Sequence, residues 1–161
     1  SETSNMLEDK AKNPILESPR DSSDFTTHKK FMLNTNFNNN KASHMTMLEN
    51  QEAAAFRKGW KEYICNLEEG DKVYLYQSGV GFVASGIVTG DLIKSEYRGQ
   101  PEEKYSKKLK DFKIGFKAIS AKEFKTLTGG GASFRTTMSE LKPEQCRKLD
   151  MEIEKRMKSV S

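Results

Sequence analysis

Gly79-Val80-Gly81-Phe82-Val83-Ala84 fits the G-x-G-x-x-A spacing with which a strand delivers a dinucleotide pyrophosphate to a helix. That chemistry needs a helix N-terminus immediately afterwards, because its unpaired N–H groups hold the phosphate. Ser85 to Thr89 is instead glycine-bearing and β-branched, so the motif reads as a hairpin turn with no cofactor. Gly129-Gly130-Gly131 continues into Ala132-Ser133 and lacks the Lys-Ser/Thr of a phosphate loop, which makes it a turn. His28 and His44 have no Cys or second His at ligand spacing, so no metal site is expected; His44 is expected to cap or pack near the first helix. Ser78 sits in a sharp turn without a G-x-S-x-G frame or an identifiable base, and no catalytic residue is assigned.

The remaining chemistry is stacking and charge. Trp60 is the single tryptophan, and on an amphipathic helix it either packs in the core or forms a wall that stacks a flat ligand. Residues 104–125 hold eight lysines against Asp111 and Glu123, a net of +6, and the last helix adds Arg147, Lys148, Lys155, Arg156 and Lys158. Lys107, Lys108, Lys110, Lys113 and Lys117 are the candidates for contact with a phosphate backbone, with Lys113 and Lys117 on the outer face of one strand.

The elements that must position these residues follow from periodicity. Phe31-Met32-Leu33 is a short buried strand, and the polar tract Asn34 to Asn40 is a loop. Thr46 with Glu49 forms a capping-box pattern, which predicts a helix from Met47 through Ala53–Ala55 to near Phe56. Trp60, Tyr63, Ile64 and Leu67 at i, i+3, i+4 and i+7 predict a second helix, stopped by Gly70-Asp71. Val73 to Tyr76 and Phe82 to Val88 are strands joined by Ser78–Gly81, a hairpin. Residues 91–108 are charged and contain Gly99 and Pro101, so a surface excursion is expected, followed by a half-buried strand in which Phe112, Ile114 and Phe116 face the core. Ser120 with Glu123 opens a helix ending before Gly129, Phe134 to Met138 reads as a strand, and Pro143 starts a last helix with Cys146, Leu149, Ile153 and Met157 on one stripe. The order implies an α+β fold whose sheet is at least partly antiparallel.

At 161 residues, 35% hydrophobic and 31% charged, the chain suits one domain with a tail. Residues 1–28 carry six acids against three bases, a net of −3, with Ile15, Leu16 and Phe25 as the only anchors, and read as a flexible acidic arm. Residues 29–161 then hold a net of +7 and form the single domain. Such a basic body is compatible with a polyanionic partner. Cys65 and Cys146 lie far apart in predicted amphipathic helices and read as reduced core residues, which with no signal peptide or bilayer-length apolar run points to a cytoplasmic protein without membrane contact.

Ala53 to Gly90, AAAFRKGWKEYICNLEEGDKVYLYQSGVGFVASGIVTG, resembles the EVE-like branch of the PUA superfamily, whose relatives include YTH and ASCH domains. The shared features are the polar loop after the first strand, the Trp-bearing helix, the Gly-Asp that launches a strand and the Y-x-S-G hairpin. The resemblance implies a PUA-like twisted, mainly antiparallel sheet or open barrel flanked by helices, with a pocket beside the first strand and the Trp-bearing helix. Relatives hold a flipped, often modified nucleobase in such a pocket. Carried over by position, Asn34 and Asn36 would read the base edge, Trp60 would stack, and Ser78 would add a polar contact. Tyr76, Phe134 and Arg135 are further ligand candidates from their residue types. The chain lacks the several tryptophans of a methyl-base cage.

Three functions are distinguishable on this basis. A nucleic-acid-binding module reading a plain or modified base requires Trp60 beside a polar-edged cavity. A small hydrolase of modified nucleosides, as among ASCH relatives, requires a Lys and a carboxylate converging there. A protein-interaction domain requires an exposed apolar patch instead.

Overall fold

Val73, Tyr74, Leu75 and Tyr76 are apolar at four successive positions, so a strand that contains them must be covered on both faces. The computed structural model, which describes residues 28–35 and 41–159, covers them in this way. Val73 and Leu75 join one core with Phe31, Leu33, Met47, Ala53–Ala55, Ile64, Leu67 and Val88. Tyr74 and Tyr76 face the other side, against Met32, Phe82, Phe124, Cys146, Leu149 and Ile153. The period of two along a strand thus splits adjacent residues between two cores.

The described elements run β1 (Lys30–Asn34), α1 (Lys41–Asn50), β2 (Glu52–Phe56), a 3₁₀ helix (Lys61–Asn66), β3 (Lys72–Gln77), β4 (Gly81–Val88), β5 (Ile93–Tyr97), β6 (Gln100–Ile119), α2 (Ala121–Thr128), β7 (Met138–Glu140) and α3 (Pro143–Ser159). One curled sheet has the order β2-β6-β4-β3-β1-β7, with β5 paired to β6. The β1–β3 pair is parallel and the other pairs are antiparallel. The architecture is α+β, as expected. Of the expected acidic arm, residues 1–28, all but His28 fall outside the described residues, the anchors Ile15, Leu16 and Phe25 among them. Among the described residues no helix is long and apolar enough to cross a membrane.

Several local expectations are corrected. The first helix covers Lys41–Asn50, so Thr46 is interior and not a cap, and Gln51 at φ 53 ends it. Ala53–Ala55 form a strand paired with Tyr105–Lys107. Alanine's helix preference is worth only a few tenths of a kcal/mol per residue over most residue types, and complete burial between sheet and helix outweighs it. The Trp60–Leu67 segment is a 3₁₀ turn that buries Ile64 and Leu67 while leaving Trp60 54% exposed. Cys65 lies on that turn and is exposed, whereas Cys146 is buried and its thiol is pushed up to about 12 by desolvation. The charged 91–108 stretch is a hairpin of β5 and β6, in which the Lys94 ammonium lies over the Tyr105 ring across the paired strands. In β6 the expected alternation fails at Ile114, 42% exposed, because Asp111 and Gly115 have positive φ and break the pleat. Phe134 lies in a turn, and the strand after it is only Met138–Glu140.

Other expectations hold. Ser120 and Glu123 form the capping box, with the Glu123 N–H donating to Ser120 Oγ at 3.0 Å and the Ser120 N–H to Glu123 Oε1 at 3.0 Å, and α2 closes on Gly129 in the left-handed conformation. Arg156 of α3 donates to Glu123 at 2.9 Å, Glu152 at 2.8 Å and the Ala118 carbonyl at 2.8 Å, which fixes α3 against α2 and the end of β6. Tyr74 and Lys72 both donate to Asp150 Oδ1, at 2.7 and 2.8 Å, holding α3 to β3.

The glycine pattern of residues 79–84 is explained by this packing. Gly79 turns at φ 80 in open space, whereas a Cβ on Gly81, at φ 138, would lie 2.2 Å from the Ile119 carbonyl oxygen. Gly79→Ala is therefore expected to lower stability by about 1 kcal/mol and Gly81→Ala by about 3 kcal/mol; urea unfolding of the two variants would show equal losses if the close approach of β4 to β6 were unimportant.

The Ser120 backbone hydrogen bond, reinforced by Arg156, holds the Glu123 carboxyl at about 2, below its ordinary 4.5. A depressed carboxyl stabilises the fold above its unfolded value and loses that contribution as pH falls through the folded one. Between pH 4.5 and about 2, melting temperature is expected to fall less steeply in Glu123→Gln than in the unchanged chain, as followed by circular dichroism.

Candidate functional site

The C-terminal end of β1 and the turn after β3 meet because the two strands run parallel, with Asn34 opposite Tyr76. Asn34 Nδ2 donates to Ser78 Oγ at 3.1 Å and to the Phe134 carbonyl at 3.1 Å. One side-chain amide thus ties β1, the β3–β4 turn and the 132–137 segment together. Thr35 follows, and its hydroxyl shares a 2.7 Å hydrogen bond with Nδ1 of the buried His44, whose pKa is lowered by desolvation. His44 packs within α1, as expected, and this pair anchors α1 beneath the same strand end.

Above this frame lies a cavity of about 740 Å³. Asn34, Ser78, Trp60, Phe134 and Arg135 line it, together with Phe56, Arg57, Tyr97, Arg98 and Thr136. Five of the seven ligand candidates are therefore brought together from positions spread over a hundred residues. Tyr76 is not among the lining residues: it is 6% exposed and stacks behind Phe134, with ring centroids 4.6 Å apart and planes at 26°. Its ring backs the wall and leaves Phe134 at the surface. Asn36 lies outside the described residues.

Trp60 is placed by the chain reversal that follows β2. The Arg57 N–H donates to the Glu103 carbonyl at 2.8 Å, and the Arg57 carbonyl accepts from the N–H groups of Trp60 and Lys61 at 3.1 and 2.9 Å. Lys61 pairs with Glu103 at 3.0 Å, so the 3₁₀ turn is pinned to β6 at both ends of this reversal. Phe56 and Tyr97, which also line the cavity, contact each other with centroids 4.5 Å apart. The lining thus combines aromatic rings with amide and hydroxyl groups, and its charges are guanidinium groups.

Phe56, Arg57, Tyr97 and Arg98 were not anticipated from the sequence. The reason is specific: residues 53–56 read as helix and 91–108 as a loop, so neither segment had a face to assign. The signals available were the non-glycine residues Arg57 and Arg98 next to turn formers, Arg98 directly before Gly99.

The lysine candidates separate. Lys107 is 8% exposed and its ammonium donates to the Leu67 carbonyl at 2.5 Å, so it is an interior group and not a surface contact. Lys113 pairs with Glu154 at 3.0 Å, and Lys108 donates to the Asn50 carbonyl at 3.2 Å. Lys110 and Lys117 are exposed. None of the five lines the cavity.

Removing the Asn34 amide separates three segments at once. Asn34→Ala is expected to cost about 2 kcal/mol, from two lost side-chain hydrogen bonds at a partly buried site, and to speed proteolytic cutting within residues 130–137 more than elsewhere. Unchanged cutting there, read by mass spectrometry of limited digests, would show that Asn34 does not hold that segment.

No family model matches the sequence, and no curated protein matches it. Among solved structures, the fold is similar to a hypothetical protein from Leishmania major, at 10% identity and a TM-score of 0.53, with 81% of this chain and 97% of that one covered. ASCH from Zymomonas mobilis aligns at 10% identity and a TM-score of 0.48, covering 76% of this chain and 94% of that one. The N-terminal domain of Thermococcus gammatolerans McrB bound to m5C DNA aligns at 13% identity and a TM-score of 0.46, covering 80% and 98%. At such identities a structural likeness speaks to fold alone. The curled mixed sheet with its flanking helices is an α+β fold.

Proposed function

We propose that this chain is a nucleic-acid-binding module that seats one nucleobase, plain or modified, in the cavity beside β1 and the Trp60 turn. The observation that carries the reading is the convergence of Asn34, Ser78, Trp60 and Phe134 on one cavity lined by aromatic rings and by amide and hydroxyl groups. A base is flat, apolar on its faces and polar on its edge. Aromatic side chains stack on the faces, and amide and hydroxyl groups discriminate the edge. The cavity volume of about 740 Å³ falls in the usual range for small-ligand sites and leaves room for the sugar beside the base.

The hydrolase reading needs a Lys and a carboxylate in the same cavity. Among the described residues its lining includes neither. The arginines there stay protonated and do not serve as a general base, so binding is favoured over acid–base chemistry.

Trp60 supplies the test, since it is the only fluorophore of its kind and is exposed at the cavity. Titration with short single strands of DNA and RNA, with plain or modified bases, is expected to quench its emission, and the quenching is expected to persist at high salt. Phe134→Ala is expected to weaken binding by about 1–3 kcal/mol, the range for loss of one stacking wall. Quenching that vanishes with added salt and ignores Phe134→Ala would mean phosphate attraction without a base site.

A further inference from the structure

The cavity's charge is more specific than its shape. Arg57 follows β2, Arg98 occupies the β5–β6 turn and Arg135 lies between α2 and β7, so three separate loops each bring one exposed guanidinium to the same cavity. Among the described residues none of the three forms an ion pair, and no carboxylate lines the cavity. The arrangement is unfavourable for the empty protein. Like charges around one concavity repel, and Arg57 and Arg98 also hold left-handed backbone, at φ 71 and φ 53, which non-glycine residues seldom adopt.

The lysines of β6 are arranged in the opposite way. Lys104 pairs with Glu52 at 2.6 Å, Lys113 with Glu154 at 3.0 Å, and Lys107 is buried on a carbonyl. Three of the six lysines of β6 are thus engaged with groups of the fold itself. Guanidinium forks also match phosphate oxygens in a bidentate manner, which an ammonium does not.

We propose that Arg57, Arg98 and Arg135 form the phosphate clamp of this cavity. Its ligand is then a nucleotide within a single strand, flanked by phosphates, in preference to a free nucleoside, and the strand does not follow the lysines of β6. This proposal rests on the cavity being a base site.

The test measures binding of fluorescein-labelled single strands of DNA and of RNA across a salt series. The unchanged chain is compared with R57Q/R98Q/R135Q, K108Q/K110Q/K117Q and W60A, each checked for folding by circular dichroism. Single-strand binding changes by about 0.7 in log–log salt slope for each phosphate contact, so the arginine variant is expected to lose a slope of about 2. The lysine variant is expected to keep the full slope, and a free nucleoside is expected to quench Trp60 only at much higher concentration than a strand. Transfer of the slope loss to the lysine variant, or a nucleoside binding as tightly as a strand, overturns the clamp. Undiminished strand binding by W60A with the arginine dependence intact overturns the base site and leaves a phosphate track. No binding to the unchanged chain overturns both.

Discussion

Everything in this fold depends on how one strand bends. β6 runs for 20 residues, a length that would span about 65 Å if straight, far more than a domain of this size can accommodate. Two breaks in the pleat absorb the excess. Between Phe82 and Ala84 on β4, the partner on β6 moves from Ile119 to Ile114, and between Ser85 and Ile87 it moves from Lys113 to Lys110. Asp111 and Gly115, at φ 52 and φ 95, each lie within one of these breaks. The bend gives β6 two working halves. Its first half pairs with β2 and β5 and builds the wall that carries Phe56 and Tyr97; its second pairs with β4 and supports α2 and α3 through Phe116, Ile119 and Arg156.

What the sequence discloses and what it hides both trace to the range of the forces involved. The Ser120–Glu123 cap, the Gly129 stop, the Pro143 start and the Ser78–Gly81 turn are decided by neighbours in sequence, and each is legible there. Glu52–Phe56 is decided by a partner fifty residues away, and its alanines carry a local preference for helix that the sheet overrides. Lys104–Lys108 looks solvated by composition, yet Lys107 and Glu52 are interior because curling brings them under other elements. The candidate site follows the same division. Asn34, Trp60 and Ser78 were reachable through the resemblance of residues 53–90 and the loop and hairpin around it, and Phe134 and Arg135 only through their residue types. Arg57 and Arg98 belong to a hairpin and an edge strand that only long-range pairing creates.

Charge shows the same contrast between composition and placement. The net excess of the body is carried mostly by lysines, and it is natural to expect the densest run of them to meet a polyanion. An ammonium is strongly hydrated and on a flexible stem, so it can close an ion pair at a surface with little net energy in either direction. Lys113 of β6 does this with Glu154, whereas Lys104 closes its pair on the buried Glu52. Guanidinium groups left without a carboxylate around a concavity are different, since their field is focused by the low-dielectric walls rather than spread over an outer face.

The frame beneath the cavity bears on how it would bind. Trp60 and Phe134 sit on short irregular segments, which by themselves would lose rotational and loop freedom on meeting a ligand. Here that freedom is already restricted: Phe134 is stacked on the buried Tyr76 and held through its carbonyl by Asn34, while Trp60 follows a reversal pinned to Glu103. Ordering a side chain at an interface costs about 0.5–1.5 kcal/mol when it must be immobilised on binding, and these contacts meet part of that cost during folding. Tyr76 is therefore more useful behind the wall than in it. As a second contact it would add area that a ligand must order; as a buried support, stacked at 26° on Phe134, it makes the half-buried Phe134 ring a fixed surface against which a flat ligand can stack.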